Sequence, residues 1–119
     1  GAKVYTIERH ESLYTKTQTL LSKLGFDQIR MLLGDGFEGA PRFAPFEKII
    51  VTAGATAIPE KLMTQLKPNG MMVIPIGMDD DSQIMYKIVK KDEKTFSQST
   101  HGNFKFVPFL PGVERKLKQ

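Results

Sequence analysis

The sequence predicts an α/β fold in which parallel strands joined by helical crossovers precede an antiparallel pair of strands at a sheet edge. Two observations carry this prediction. As far as Gly77, short β-branched runs alternate with helical stretches, and the connections are too long for hairpins, which implies parallel strands with right-handed crossovers. Beyond Gly77 the strand-like runs are separated by charged and polar residues instead. With 119 residues and 40% apolar content, the chain supports one core, and we expect a single domain over residues 1–119.

The elements follow in order. Val4–Ile7 alternates β-branched or aromatic residues with Thr before a charged stretch, which suggests a strand. It begins so close to residue 1 that a companion on its N-terminal side must come from elsewhere, and the chain reads as a segment of a longer protein. In Ser12–Leu24, Leu13, Thr17, Leu20, Leu21 and Leu24 fall at helical spacing, with Gly25 as terminator. Phe26–Leu33 reads as a second strand, running into the tight loop Gly34-Asp35-Gly36. Phe46–Ala53 has the near-continuous apolar character of a strand buried on both faces. Pro59 opens a helix to about Leu66, Lys67-Pro68-Asn69-Gly70 signals a turn, and Met71–Ile76 is a strand stopped by Pro75 and Gly77. After the Asp79-Asp80-Asp81 loop, Gln83–Lys90 and Asn103–Phe109 are the expected antiparallel pair, and Arg115–Gln119 is an expected frayed basic end.

Composition narrows the function. Seventeen Lys and Arg against thirteen Asp and Glu give a formal charge of +4, without a long basic block, so acidic ligands are permitted but not required. No nucleic-acid or membrane partner is expected. The absence of cysteine excludes a disulfide framework, a thiolate metal site and a cysteine nucleophile, and it fits an intracellular protein. No apolar run approaches the roughly 18 residues of a membrane span, and the first residues lack the apolar stretch of a secretory signal. The expected setting is soluble and cytoplasmic.

In an open parallel sheet, ligands lie beyond the carboxyl ends of the strands, so the residues there are the ones to inspect. Glu8 is the first: a carboxylate at that place can accept from both hydroxyls of a ribose, or be a solvated acid. Asp35 is the second, since flanking glycines let a ligand approach closely, though Gly-Asp-Gly is also simply a good turn. The small residues Thr52, Ala53, Gly54 and Ala55 could line a ligand or pack against a helix. His10 and His101 are too far apart in sequence for a metal motif and read as surface residues. Asp79, Asp80 and Asp81 lack the Gly and distal Glu of a calcium loop. Neither GxxxxGK[ST] nor GxGxxG occurs, and no Ser sits in a nucleophile elbow.

Four blocks carry more than periodicity: KVYTIER, GDGFEG, APFEKIIVTAGATAIPEKLMTQLKPNGMMVIPIG and FKFVPF, in that order. Together they resemble the protein-L-isoaspartate O-methyltransferases over nearly the whole chain. The resemblance implies a partial Rossmann-like class I methyltransferase sheet and S-adenosylmethionine as cofactor. It implies methylation of the free carboxylate of L-isoaspartyl residues in damaged proteins and peptides, which starts a succinimide-mediated repair. In that family an N-terminal helical region and a glycine-rich strand-turn-helix precede the segment matching KVYTIER, so the resemblance is to the C-terminal portion. By the same resemblance, Glu8, with Arg9 beside it, would hold the ribose, Asp35 and Gly36 would flank the adenine, and Thr52–Ala55 would close the floor of the site, with Thr52 and Ala53 among the cofactor-binding residues. Phe106, Val107 and Pro108 would shape the groove for the substrate peptide, with Val107 contacting it through the backbone. The family more often has Ala-Ala-Pro near Gly54-Ala55-Thr56, a departure at that floor.

The implied chemistry calls for no catalytic acid or base and no metal. An isoaspartyl carboxylate, with an ordinary pKa of about 4, is ionised at pH 7 and attacks a methyl carbon directly. Alignment alone can contribute roughly 7 to 11 kcal/mol. An extended peptide along Phe104–Phe109 would gain sequence-independent hydrogen bonds. Two alternatives stay open. One is a small-molecule methyltransferase segment, against which FKFVPF argues. The other is a non-catalytic, self-associating fragment that forms a homodimer along the edge of Val4–Ile7. Lacking the methionine cradle, the 119-residue chain is expected to bind cofactor feebly and to transfer little methyl by itself.

Overall fold

A computed structural model describes residues 3–77 and 82–115. The chain divides into two compact units, residues 1–38 with 110–119, and residues 39–109.

The first unit is built on β1 (Tyr5–Glu8), α1 (Glu11–Lys23) and β2 (Arg30–Leu33). β1 and β2 pair in parallel, with Tyr5 opposite Arg30 and Glu8 opposite Leu33. α1 starts with Glu11 in its first turn and ends with Lys23 in its last, each charge complementing the helix dipole. Its C-terminus closes as a Schellman motif: Gly25, at φ +87°, donates to the Ser22 carbonyl, and Phe26 N–H donates to the Leu21 carbonyl at 2.8 Å. That closure explains why β2 is shorter than the predicted Phe26–Leu33. Phe26 is tied back to the helix and Ile29 N–H bonds Phe26, so the ladder begins only at Arg30. α1 has no buried residue; Leu13, Leu20 and Leu24 are each half exposed or more.

The second unit holds β3 (Phe46–Ile50), α2 (Glu60–Thr64), β4 (Leu66–Ile76), β5 (Gln83–Lys90) and β6 (Phe96–Phe104). Its sheet runs β3-β4-β5-β6, parallel between β3 and β4 and antiparallel thereafter, as the sequence implies. Leu62, Leu66, Met72, Ile74 and Ile88 form its core with Ala55. Lys90, 4% exposed, donates to the Leu66 carbonyl at 3.0 Å, and Gln65 Oε1 accepts Ala40 N–H at 2.9 Å, so two buried polar side chains join distant backbone segments.

Several expected boundaries shift for identifiable reasons. β3 is an edge strand that pairs only with β4 among the described residues, and Ile50 is 75% exposed, so the predicted burial on both faces is not found. Lys67–Gly70 does turn, with Asn69 at φ +67°, but the turn is absorbed as a bulge: Phe46 faces Leu66 while Lys48 faces Met71. A side chain at Gly70 would stand 2.7 Å from the Lys67 carbonyl. Pro75 does not stop β4, which continues to Ile76 with Pro75 opposite Met85. The last strand is Phe96–Phe104, not Asn103–Phe109. Its residues are mostly exposed and polar, so its ladder to β5 left no apolar alternation in the sequence. Asp79, Asp80 and Asp81, and the end of the predicted basic tail, lie outside the described residues.

Candidate functional site

In the first unit the parallel pairing of β1 with β2 fixes where two carboxylates stand. Glu8 is the last residue of β1, and its carbonyl accepts Gly34 N–H at 3.0 Å, so the chain just past β2 is held beside the end of β1. Asp35 follows directly. Both side chains are half-buried and use the same local device. His10 N–H donates to Glu8 Oε1 at 3.2 Å, and Phe37 N–H donates to Asp35 Oδ1 at 2.8 Å. Each carboxylate is thereby oriented through one oxygen, with acceptor capacity left on the other. Gly36, half-buried, lies in the turn that Asp35 closes, where the Asp35 carbonyl accepts Glu38 N–H at 3.1 Å.

A segment distant in sequence clasps the same strand end. Glu114 forms a parallel bridge with His10, donating its N–H to the Arg9 carbonyl at 2.6 Å and accepting Glu11 N–H at 2.7 Å. Its carboxylate lies 2.8 Å from His10 Nδ1 and 3.6 Å from Arg9 Nη1. Arg9 Nη1 also lies 3.3 Å from His10 Nε2. Arg9 Nε is buried and has no hydrogen-bond partner among the described residues. Sequence reading missed Glu114, since nothing in VER marks a pairing with residues so far away. His10 belongs to this clasp, and His101 Nε2 contacts Ser99 Oγ at 2.8 Å. No group of three metal-ligating side chains occurs among the described residues.

The second unit brings together the other predicted residues. After β3, Ala55 is buried and donates to the Pro75 carbonyl at 2.9 Å, which ties the small-residue run to the end of β4; Ala53 and Gly54 are half-buried and Thr52 is exposed. Gly54 N–H donates to the Val107 carbonyl at 2.6 Å, and Phe109 N–H donates to the Gly54 carbonyl at 2.8 Å. The segment Phe106–Pro108 is therefore not a ladder strand but a strap bridged to Gly54, with Phe106 half-buried and Val107 70% exposed. Gln83, 2% exposed, accepts Phe106 N–H on Oε1 at 2.7 Å. A polar residue at a strand start gave no sign of this. Two cavities, of about 540 Å³ beside Leu21 and Phe26 and about 330 Å³ beside Ile76 and Tyr86, include none of the predicted site residues.

Residues 1–114 match the family model described as protein-L-isoaspartate(D-aspartate) O-methyltransferase (PCMT). The chain belongs to this family. Among curated relatives, the Flavobacterium psychrophilum protein-L-isoaspartate O-methyltransferase is 52% identical over 110 residues, covering 92% of this chain and 51% of its own. The protein of that name from Thermococcus onnurineus is 38% identical over 108 residues, covering 90% and 49%. The chain thus spans about half the length of the curated relatives it matches. A solved protein-L-isoaspartate O-methyltransferase superposes with a TM-score of 0.84 at 26% identity, over 93% of this chain and 35% of that one. A Plasmodium falciparum chain, described as such an enzyme in complex with S-adenosyl-L-homocysteine, gives 0.77 at 24% identity over 90% and 52%, a likeness of fold. These solved chains share the α/β fold described above, over at least 90% of this chain.

Proposed function

We propose that the protein carrying this chain is an S-adenosylmethionine-dependent methyltransferase acting on L-isoaspartyl carboxylates of damaged proteins and peptides, with the cytoplasm as its setting. The observation that carries the reading is the placement of Glu8 and Asp35 at the carboxyl ends of two adjacent parallel strands, each fixed by a backbone N–H two residues on. The donor set fits the nucleoside end of the cofactor. Glu8 offers a charged acceptor for the ribose diol, while Asp35 and Gly36 offer an acceptor and a slender backbone for the adenine. Arg9 follows Glu8 directly, its guanidinium lying against His10 and Glu114, and its assignment to the cofactor rests on family resemblance. Thr52 and Ala53 belong to the second unit, and their assignment to the cofactor rests on family resemblance.

S-adenosylmethionine, when bound, supplies a methyl group on a positively charged sulfur. The acceptor carboxylate is ionised at pH 7, so the protein has no proton to move. Its residues bind and orient: the strap Phe106–Pro108, pinned at Gly54 and Gln83, offers its backbone to an extended acceptor peptide. Recognition through backbone suits damage that arises in many sequence contexts. This strap also favours a peptide over a small-molecule acceptor.

The test is transfer of labelled methyl to an isoaspartyl peptide and to its aspartyl counterpart by the natural protein. Base-labile ester on the isoaspartyl peptide alone is expected; equal labelling of both, or of neither, sinks the proposal. For a polypeptide limited to residues 1–119 we propose weak cofactor binding and self-association. Edge-to-edge pairing would use β1, which pairs only with β2 among the described residues. Micromolar S-adenosylhomocysteine binding by calorimetry, or a stable monomer at high concentration by light scattering, would contradict the respective claims.

A further inference from the structure

We propose that Gln83 is a positioning residue that sets the path of the acceptor strap Phe106–Pro108, and through it the affinity for the peptide rather than for the cofactor. The inference rests on the reading of the strap given above and deepens it. β5 begins at Gln83, which pairs with Phe104 as the last rung of the β5–β6 ladder. β5 itself starts at that rung and contributes no further strand pairing to the chain past Phe104. Instead the Gln83 side chain takes the place of the missing rung, with Oε1 accepting Phe106 N–H at 2.7 Å. An amide buried to this degree is costly unless it is bonded, so the contact fixes the side chain as firmly as it fixes the strap.

The same side chain meets the second anchor. A Cβ at Gly54 would stand 2.8 Å from Gln83 Cδ and 3.0 Å from both Cγ and Nε2, so Gly54 is the residue whose size lets the amide lie there. Gly54 in turn holds Val107 and Phe109 through its own N–H and carbonyl. The strap is therefore gripped at Phe106 by a side chain and at Val107 and Phe109 by backbone. Pro108 has no N–H to lose. Val107 N–H and the carbonyls of Phe106 and Pro108 remain without a protein partner among the described residues, and these are the groups an extended peptide can use. Loss of the Gln83 contact releases the end of the strap that presents them.

The experiment uses the natural protein with Gln83→Met, which keeps volume and removes the acceptor, and Gln83→Glu, which keeps an acceptor oxygen. Steady-state methylation of isoaspartyl peptides with differing flanking residues is expected to show KM for peptide raised about tenfold or more by Gln83→Met. That rise should be similar for every peptide, with KM for S-adenosylmethionine within about twofold of wild type and most of the loss rescued by Gln83→Glu. An unchanged peptide KM, or both KM values rising together, overturns the proposal. Amide exchange in the wild-type protein gives a readout independent of activity and of whether the Met variant folds. Phe106 N–H should exchange at least about a hundredfold more slowly than Val107 N–H. Equal rates overturn the role of Gln83, while protected Phe106 in a protein that methylates no isoaspartyl peptide overturns the functional reading and leaves the anchor standing.

Discussion

Gly54→Ala probes the two-sided grip on the strap quantitatively. The position does not need the left-handed conformation, so alanine fits the backbone and, by restricting the unfolded chain, contributes about 0.4–1 kcal/mol. Against this, the new methyl group would lie 2.8 Å from Gln83 Cδ, where ordinary contacts begin near 3.4 Å, in a site whose amide is 2% exposed. The amide must retreat by roughly half an ångström or more, and overpacking of that kind costs about 1–3 kcal/mol. Retreat also stretches a 2.7 Å hydrogen bond to Phe106, worth about 1 kcal/mol. The net expectation is a destabilisation of about 1–3 kcal/mol, read from the urea midpoint at unchanged slope. The decisive measurement is the double-mutant cycle with Gln83→Ala. Once the amide is gone the methyl group has room and only the unfolded-chain effect is left, so Gly54→Ala should be neutral or stabilising by up to about 1 kcal/mol in that background, a coupling of about 1–4 kcal/mol. Equal cost in both backgrounds would refute the argument that Gln83 is what Gly54 accommodates.

Two further outcomes follow from other contacts. Glu114→Ala removes an exposed carboxylate from His10 and Arg9 but keeps both backbone bonds, so it should weaken S-adenosylhomocysteine binding by less than about fivefold, whereas Glu114→Pro also deletes the N–H that holds the Arg9 carbonyl and should cost more. Calorimetry on the pair checks this, and an alanine variant as damaged as the proline one would count against a backbone clasp. In the β5–β6 turn, the Lys94 N–H first, then the Thr95 side chain and N–H, hold the Asp92 carboxyl below its ordinary 3.8. A group depressed on folding contributes stability above its unfolded pKa and loses it as pH falls through the folded value, so this contribution is present at pH 5–8 and fades only below about 3.8. Carboxyl NMR titration should show Asp92 titrating below that value, and an Asp92→Asn variant should lose that part of the acid dependence; a midpoint at or above 3.8 contradicts it.

What could be read from the sequence was whatever leaves a local trace. The leucine spacing of α1 and its glycine cap, the carboxylates ending β1 and following β2, and the run Gln83–Lys90 all stand where local chemistry puts them. β6 could not be read because Gln98–Asn103 is exposed and largely polar, its place set by hydrogen bonds from β5 rather than by burial. β3 carries the composition of a doubly covered strand yet is an edge in the described fold. The buried amides of Gln83 and Gln65 and the ammonium of Lys90 were hidden for a related reason. A polar residue becomes structural when a distant backbone group comes to it, and neither periodicity nor composition records that meeting. Glu114 belongs to the same class, since its bridge to His10 joins the two ends of the chain.

The central claim is that Glu8 and Asp35 grip the nucleoside, and calorimetric titration of the natural protein with S-adenosylhomocysteine tests it most directly. A hydrogen bond to a charged acceptor contributes about 1.5–3 kcal/mol, so Glu8→Gln should raise Kd by about ten- to a hundredfold, and Asp35→Asn should also weaken binding, with thermal unfolding little changed. Wild-type affinity in both folded variants would mean that the paired strand ends do not hold the cofactor.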